Sequence, residues 1–577
     1  MNWCGCGNHG AVWSHHGHGL DRALRFHGRP GAGTWASGKW LRARESSAQF
    51  SALRLYALIE LLIGGSALIV PFTFSWGRRV LEHYGLSSSL GYYGVAGAWV
   101  GISVIPWCVL MGATVPVAMR AIAQTVPGES RRSFSYLYMA NVAGAVAGTT
   151  LPLFLIELLA FRGTLKVGIA CNCLIAMLAL ALSRNMSRVS AVKSDPALDI
   201  AFASGSAGGK ILVLLLLGGL TCMAMEVVWV RCFTPYCGTV VYAFASILGV
   251  YLLATLAGSL VYRRWSSRRK QESPLVWSAL ASCALFPLVA ADPAIEIHQL
   301  LRLLLGLAGF TGLLGFITPM LVDRYSVGDP SKAGAAYATN VGGCILGPLF
   351  AGFVLLPLMS EHWALMVLSL PWLIVGLAPL RRGAHSRPAM RAAVYALLAL
   401  SVWLMAVGKG YEEEFPKYTV LRDPTATVIA TGAGMDKKLL VNGYGTTFLT
   451  PMTKLMAHLP LAFLDRPPQN ALVICFGMGT TFRSVHSWGI PTIAVELVPS
   501  VPRLFSYYHS DGQTILGSPL SQVVIDDGRR YLERTRQQYD VITIDPPPPL
   551  QAAGSSLLYS EEFYRLAKRR LRPGGIL

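Results

Sequence analysis
The chain has 577 residues, 53% of them hydrophobic and only 14% charged, with a net charge of +19 and a mean hydropathy of +0.47. Soluble domains carry roughly 25% charged residues, so this composition excludes an ordinary soluble protein over most of the length. Lys and Arg lie mostly in short loops between apolar runs, a placement that fits membrane orientation and argues against a nucleic-acid face.

Residues 1–50 read as a disordered or mis-started leader without a signal-peptide pattern. Cys4 and Cys6, with His9, His15, His16, His18 and His27, have a C-x-C spacing in a Gly-rich context that matches no tight site, so no metal is assigned. Residues 51–408 read as a multi-pass transmembrane domain. Apolar runs near the roughly 20-residue length of a spanning helix recur at 55–75, 94–119, 133–157, 163–182, 211–233, 238–262, 274–292, 299–322, 333–358, 363–380 and 392–408. That makes about eleven spans of an inner or plasma membrane, with the lipid bilayer as first partner. Cys108, Cys171, Cys173, Cys222, Cys283 and Cys344 lie inside these runs and read as small hydrophobes rather than a disulfide framework.

Basic clusters at Lys39/Arg42/Arg44/Arg54, Arg120/Arg131/Arg132, Arg184/Arg188/Lys193/Lys210, Arg263/Arg264/Arg268/Arg269/Lys270 and Arg381/Arg382/Arg387/Arg391 are expected on the cytoplasmic side. If 392–408 spans, the C-terminal domain emerges on the outer face. If that run lies in the interface, the domain stays inside.

The membrane region repeats itself, in halves of 51–183 and 209–382. Gly112-Ala-Thr-Val-Pro116 and Tyr138-Met-Ala-Asn141-Val-Ala-Gly144 have counterparts in Gly315-Phe-Ile-Thr-Pro319 and Tyr337-Ala-Thr-Asn340-Val-Gly-Gly343. Gly33-Thr-Trp-Ala-Ser-Gly38 similarly matches the stretch beginning at Ala257. Two repeated halves are a transporter-like pattern. Helices 211–262 lack evident first-half partners, so a truncated or mis-started N-terminus is expected. Glu60, Glu157, Glu226 and Arg231 are ionisable groups at membrane depth and hence functional candidates, although Glu157 and Arg231 also suit helix ends. Asn141 and Asn340 suit hydrogen bonds between helices, or a substrate site.

Past Gly410 the pattern changes. Tyr418–Leu421, Thr427–Ala430 and Lys438–Gly443 alternate with glycine turns and predict a β-hairpin subdomain over 410–465. Residues 466–577 predict a nucleotide-binding α/β domain. Strand Ala471–Cys475 runs into Phe476-Gly477-Met-Gly479, whose glycines let a ligand approach the backbone at a helix N-terminus. Strand Thr492–Glu496 ends in a carboxylate at the spacing of a ribose-binding acid. Gln522–Asp526, with Asp527 and Gly528, ends in acids suited to an adenine amino group. Tyr539–Asp545 brings an Asp to a strand's carboxyl end, where ligands bind in such sheets.

Asp527-Gly-Arg-Arg-Tyr-Leu, Tyr539-Asp-Val-Ile-Thr-Ile-Asp545, Leu558-Tyr-Ser-Glu-Glu-Phe-Tyr564 and Leu571-Arg-Pro-Gly-Gly-Ile-Leu577 resemble the spermidine synthase (polyamine aminopropyltransferase) family. Leu440-Val-Asn-Gly443 and Met456-Ala-His-Leu-Pro460 are similar to that family's N-terminal subdomain. The resemblance covers about 418–577, and the membrane half looks like the transporter-like domain of fused members. It implies a Rossmann-like fold of the S-adenosylmethionine-dependent methyltransferase type and decarboxylated S-adenosylmethionine, or S-adenosylmethionine itself, as co-substrate. Glu496 then holds the ribose, Asp527 with Gly528 the adenine side, and Gly477 and Gly479 the methionine-derived portion. Asp545 takes the proton of the attacking amine.

Three departures bear on the substrate. The family's Gly-Gly-Gly-Asp-Gly turn is Phe476-Gly-Met-Gly-Thr here, its Asp-Ser-Ser-Asp loop is Asp545-Pro-Pro-Pro-Pro549, and its Tyr-His-Glu gate aligns with Met452-Thr453-Lys454. Groups that recognise a polycationic amine are therefore replaced, and the four prolines stiffen the loop. Three functions stay open: an aminopropyl transferase acting on a small amine, a methyltransferase, and a transporter-like protein whose soluble domain binds an adenosyl ligand without catalysis. The chain stops on entering a fifth strand and reads as a piece of a longer protein at both ends.

Overall fold
The computed structural model describes residues 52–84, 89–125, 133–186, 206–238, 240–267, 275–377, 388–546 and 555–577. The leader with its Cys and His residues, the 33–38 stretch, residues 547–549 of the proline run, and most members of the basic clusters lie outside these residues.

Every apolar run expected from the sequence falls on helix: α1 (Ala52–Tyr84), α2 (Ser89–Thr125), α3 (Ser133–Met186), α4 (Ser206–Cys237), α5 (Val240–Ser267), α6 (Leu275–Cys283), α7 (Phe286–Ala290), α8 (Gln299–Ser326), α9 (Pro330–Phe350), α10 (Glu361–Gly376) and α11 (Pro388–Val407). Among the described residues seven stretches are long and apolar enough to cross a bilayer, and Leu275–Ala290, Glu361–Gly376 and Val394–Val407 are shorter apolar helical runs. The seven are fewer than the eleven expected for local reasons. Runs 133–157 and 163–182 share helix α3, broken at Ala160 with φ 53° and ψ 178°, and only Phe154–Arg184 of it qualifies. Run 274–292 divides into the short α6 and α7. Past Pro348, α9 passes into a π turn at Ala351–Leu355, as a proline that removes a helical hydrogen bond allows.

The segments matched within the sequence pack against one another. Helix α2 carries Gly112–Pro116 and rests on α9, which carries Asn340; α3 carries Asn141 and rests on α8, which carries Gly315–Pro319. Equivalent elements thus exchange partners across the two halves, and the Phe134 and Tyr337 rings meet there at 5.6 Å. The core is aromatic, with Trp229, Phe310 and Trp372 in successive edge-on contacts. Asn340 Nδ2 donates to the Leu215 carbonyl of α4 at 2.8 Å, one of the two roles its position suggested. Glu60 and Glu226 are buried and Glu157 is exposed. Arg302, which the sequence did not single out, is buried and donates to the carbonyls of Ala290, Asp292 and Ile295.

Beyond α11 the hairpin region forms a four-stranded antiparallel meander of β1 (Tyr418–Arg422), β2 (Thr427–Thr431), β3 (Lys438–Val441) and β4 (Tyr444–Phe448). Asn442 and Gly443 both have positive φ, 52° and 75°, as a two-residue hairpin turn of matching twist requires. After α12 (Pro451–Ala462) come β5 (Ala471–Ile474), α13 (Thr480–His486), β6 (Thr492–Glu496), β7 (Ser521–Ile525), α14 (Gly528–Arg534), β8 (Tyr539–Ile544), α15 (Glu561–Arg570) and β9 (Leu571–Ile576). These strands make a parallel sheet in the order β7-β6-β5-β8-β9. Strand β5 is apolar throughout because both faces are covered. Ala471 and Val473 join the core with α12 and α13, and Leu472 and Ile474 join Leu532, Phe563 and Ala567 of α14 and α15.

Candidate active site
The chain winds outward from β5 to β6 to β7, then returns to β8 on the other side of β5. The carboxyl ends of β5 and β8 are therefore a topological switch point, where open α/β sheets bind ligands. Cys475, Phe476, Gly477, Met478 and Gly479 form the turn leaving β5. Cys475, Gly477 and Gly479 have φ of 72°, 54° and 78°. At Gly479 a Cβ would meet the Phe505 ring at 2.3 Å, so glycine is required there on both counts. Phe476 and Met478 are turned into the core, with the Phe476 ring 5.3 Å from Phe482 and 5.2 Å from Phe505. Above the turn lies β4, whose Thr447 Cγ2 is 3.7 Å from where a Gly477 Cβ would stand.

Glu496, at the end of β6, is buried and turned back toward this turn. Its Oε2 accepts from the Phe476 N–H at 2.8 Å and its Oε1 from the Val498 N–H at 3.0 Å. Burial raises its pKa, opposed by hydrogen bonds from the backbone of Val498, Phe476, Gly477 and Leu497. Asp527 caps α14, its Oδ1 accepting from the Arg530 N–H at 2.9 Å. Gly528 lets α14 start against β5, since a Cβ there would lie 2.4 Å from Ile474 Cγ2. Asp545 follows β8, its N–H on the Ile474 carbonyl at 3.4 Å; the residue is exposed, and desolvation of its carboxylate raises its pKa. Glu496, Asp545 and Asp527 all lie within electrostatic reach of Cys475. Burial first, then these three charges in that order, push its thiol well above the usual range.

The structure thus brings together Gly477, Gly479, Glu496, Asp527, Gly528 and Asp545. It separates Asp526 from them: that carboxylate is buried and paired with Arg530 and, at 3.3 Å, Arg534. Of the two acids following β7, Asp526 is thus taken up by an internal ion pair and Asp527 by the start of α14. Two participants carry no role in the sequence reading. Cys475 stands in the turn after β5 with φ 72°, although it reads as an apolar strand residue. Tyr559, inside the quoted Leu558–Tyr564 block, donates its hydroxyl to the Pro546 carbonyl at 2.7 Å and so fastens the chain just after Asp545. Of the altered gate residues, Met452 is exposed, and the Thr453 carbonyl accepts from Thr481 Oγ1 of α13 at 2.9 Å.

A sheet with an acid at the end of its second strand, a glycine turn after its first and an Asp after its fourth has the architecture in which open α/β sheets bind nucleotides. Residues 450–577 match the family described as "Spermine/spermidine synthase domain", so the C-terminal region carries such a domain behind a helical region of membrane type. Polyamine aminopropyltransferase 2 of Hyperthermus butylicus is 33% identical over 157 residues, covering 26% of this chain and 50% of that protein. Polyamine aminopropyltransferase 2 of Pseudomonas aeruginosa is 35% identical over 124 residues, 20% of this chain and 35% of that protein. The chain therefore spans half or less of the length of these relatives. Among solved structures, a spermidine synthase in complex with the transition state analogue AdoDATO aligns with TM-score 0.24 and 23% identity, over 26% of this chain and 52% of that one. The spermidine synthase of Thermotoga maritima aligns with TM-score 0.23 and 24% identity, over 26% and 50%.

Proposed function
We propose that this chain is a membrane-tethered transferase that binds decarboxylated S-adenosylmethionine and passes its aminopropyl group to an amine. The observation that carries the reading is the buried Glu496 carboxylate, held on the Phe476 N–H of the glycine turn at the switch point of the sheet, beside the strand end that carries Asp545. In this reading residues 51–408 anchor the chain in a bilayer, 410–465 roof the cleft and 466–577 hold the nucleotide. Glu496 has its carboxylate fixed by backbone N–H groups and offers its remaining lone pairs to ribose hydroxyls. Asp527 and Gly528 border the adenine, and the Gly477 and Gly479 backbone borders the sulfonium side.

The reaction is a displacement. The amine nitrogen forms a bond to the aminopropyl carbon as the carbon–sulfur bond breaks, and its electron pair leaves with sulfur, which becomes a neutral thioether. The neutral amine attacks, and Asp545 accepts the one proton that the nitrogen loses as the carbon–nitrogen bond forms. Its raised pKa makes it a better base than a solvated Asp.

A second reading, methyl transfer from intact S-adenosylmethionine, is favoured by one observation. The turn Phe476-Gly-Met-Gly-Thr480 has no acid where the family's turn has an Asp to steady the aminopropyl ammonium, and its Met478 is buried in the core. Calorimetric titration of the full chain in nanodiscs with decarboxylated and intact S-adenosylmethionine separates the readings, followed by mass spectrometry of reactions with a panel of amines. Tight binding of the decarboxylated form with an aminopropylated product is expected. Binding of the intact form alone selects methyl transfer, binding without product selects a non-catalytic ligand domain, and binding of neither sinks all three.

A further inference from the structure
The helical region and the nucleotide cleft are joined by a short polar chain. Arg231, in the last two turns of α4, is 9% exposed. Its Nη2 donates to the carbonyls of Asp423 and Pro424 at 3.0 and 2.9 Å, and its Nη1 to Thr427 Oγ1 at 3.3 Å. These residues form the tight turn between β1 and β2. Thr427 Oγ1 donates in turn to Glu361, the first residue of α10, and Glu361 also faces Arg422 at 3.6 Å. Two helix ends, that of α4 through Arg231 and that of α10 through Glu361, therefore hold this turn.

The turn is not an end point. Asp423 Oδ1 accepts from the N–H groups of Thr425 and Ala426 at 2.7 and 2.9 Å, which fixes its carboxylate. Its Oδ2 then accepts from the buried Ser500 N–H at 3.1 Å. Ser500 lies four residues past Glu496, on the segment whose Val498 N–H holds Glu496 Oε1. From Arg231 to the acid assigned to the ribose, the path is turn 423–427, Ser500, Val498, Glu496. Beside this path Arg231, Glu361, Thr427 and Asn442 line a small pocket, and Pro235 of α4 packs directly on the 442–443 turn, where a Gly443 Cβ would lie 2.1 Å from its Cγ.

We infer that Arg231 is a positioning residue: through the 423–427 turn and Ser500 it sets the placement of Glu496, and so couples the state of the membrane helices to nucleotide affinity. The inference rests on Glu496 being the ribose acid. Two states of the α4 end that hold the turn differently must then differ in nucleotide affinity, and by linkage nucleotide binding must bias those states.

The test uses the full chain in nanodiscs, with 5′-methylthioadenosine and decarboxylated S-adenosylmethionine as probes. Arg231→Gln removes the charge and the fork of donors. Asp423→Asn acts from the soluble side: its amide oxygen can keep the turn while its NH2 faces the Ser500 N–H. Both should raise nucleotide Kd about tenfold, the scale of one lost charge-assisted hydrogen bond, and leave the KM of the amine acceptor unchanged. Arg231→Lys, which reaches one carbonyl, should recover part of the loss. In wild type, added nucleotide should slow hydrogen exchange in the peptide containing Arg231. Nucleotide binding by both variants as tight as wild type overturns the inference, as does an equal loss of acceptor affinity or unchanged exchange around Arg231 with nucleotide bound. Absence of nucleotide binding by wild type overturns the Glu496 assignment itself, and the coupling with it.

Discussion

Glu496 Oε2 and the backbone N–H of Phe476 meet at 2.8 Å inside the protein, so the glycine turn after the first strand of the sheet and the acid ending the second are one unit. The bond fixes the carboxylate in a single orientation and uses only part of its accepting capacity. Glu496→Gln keeps the shape but turns one oxygen into a donor facing backbone donors. A buried unsatisfied group costs about 1–3 kcal/mol. Nucleotide affinity is therefore expected to fall by about tenfold or more, with the far-UV circular dichroism spectrum unchanged. Titration of the variant with 5′-methylthioadenosine checks this; wild-type affinity would show that the ribose lies elsewhere.

Asp545→Asn should abolish product formation and leave nucleotide Kd within about twofold of wild type, because it removes the proton acceptor and keeps the side-chain shape. The pH profile gives an independent reading. Desolvation raises the pKa of Asp545, and the ionised form is the base. Activity should therefore be full at higher pH and be lost as pH falls through a value above the usual Asp range. A kcat/KM profile whose acid limb sits at an ordinary carboxylate pKa would remove Asp545 from the role.

Much of this site was legible because strand chemistry is local. Four short apolar strands, each ending in Gly or an acid, announce both the sheet and its ligand edge, and Ala471, Thr492 and Tyr539 open strands within a residue of expectation. What was not legible depends on distant partners. Asp526 and Asp527 are adjacent acids, and only the placement of Arg530 and Arg534 consigns the first to an internal ion pair. Cys475 reads as one more apolar strand residue, yet it takes a positive φ and feels the charges of Glu496, Asp545 and Asp527 from three different strand ends. In the membrane region Ala160 breaks α3 without a Gly or Pro to mark it. Arg231 suits a helix end on any reading, yet its acceptors lie nearly two hundred residues away.

His509 should make the soluble domain less stable in mild acid. Its Nε2 lies 3.1 Å from Thr480 Oγ1 on α13. Desolvation first, then the charge of Arg483, lowers its pKa to about 4. Between that value and the ordinary 6.5 the unfolded chain binds a proton that the folded chain does not. Stability therefore rises with pH across this window and is lost as pH falls through it. His509→Asn should flatten the dependence of Tm on pH between about 4.5 and 6.5. A wild-type slope retained in that variant would assign the sensitivity to other groups.

Asp526 and Glu561 provide a comparison between a buried and an exposed ion pair. Asp526 and Arg530 are 3% and 8% exposed at the side chain, whereas Glu561 and Arg565 are 74% and 71% exposed. Removing one partner of a buried pair leaves the other charge uncompensated, at a cost of about 3–5 kcal/mol. An exposed i,i+4 pair contributes about 0.3–0.5 kcal/mol at most. Asp526→Ala should therefore lower the Tm of the soluble domain by many degrees and, by loosening the start of α14, weaken nucleotide binding at Asp527 as well. Glu561→Ala should leave both within error. Calorimetry of the two variants with and without 5′-methylthioadenosine decides the matter. Equal small effects would mean that water or neighbouring residues replace the carboxylate at Arg530, and that Asp527 does not depend on that pair for its position.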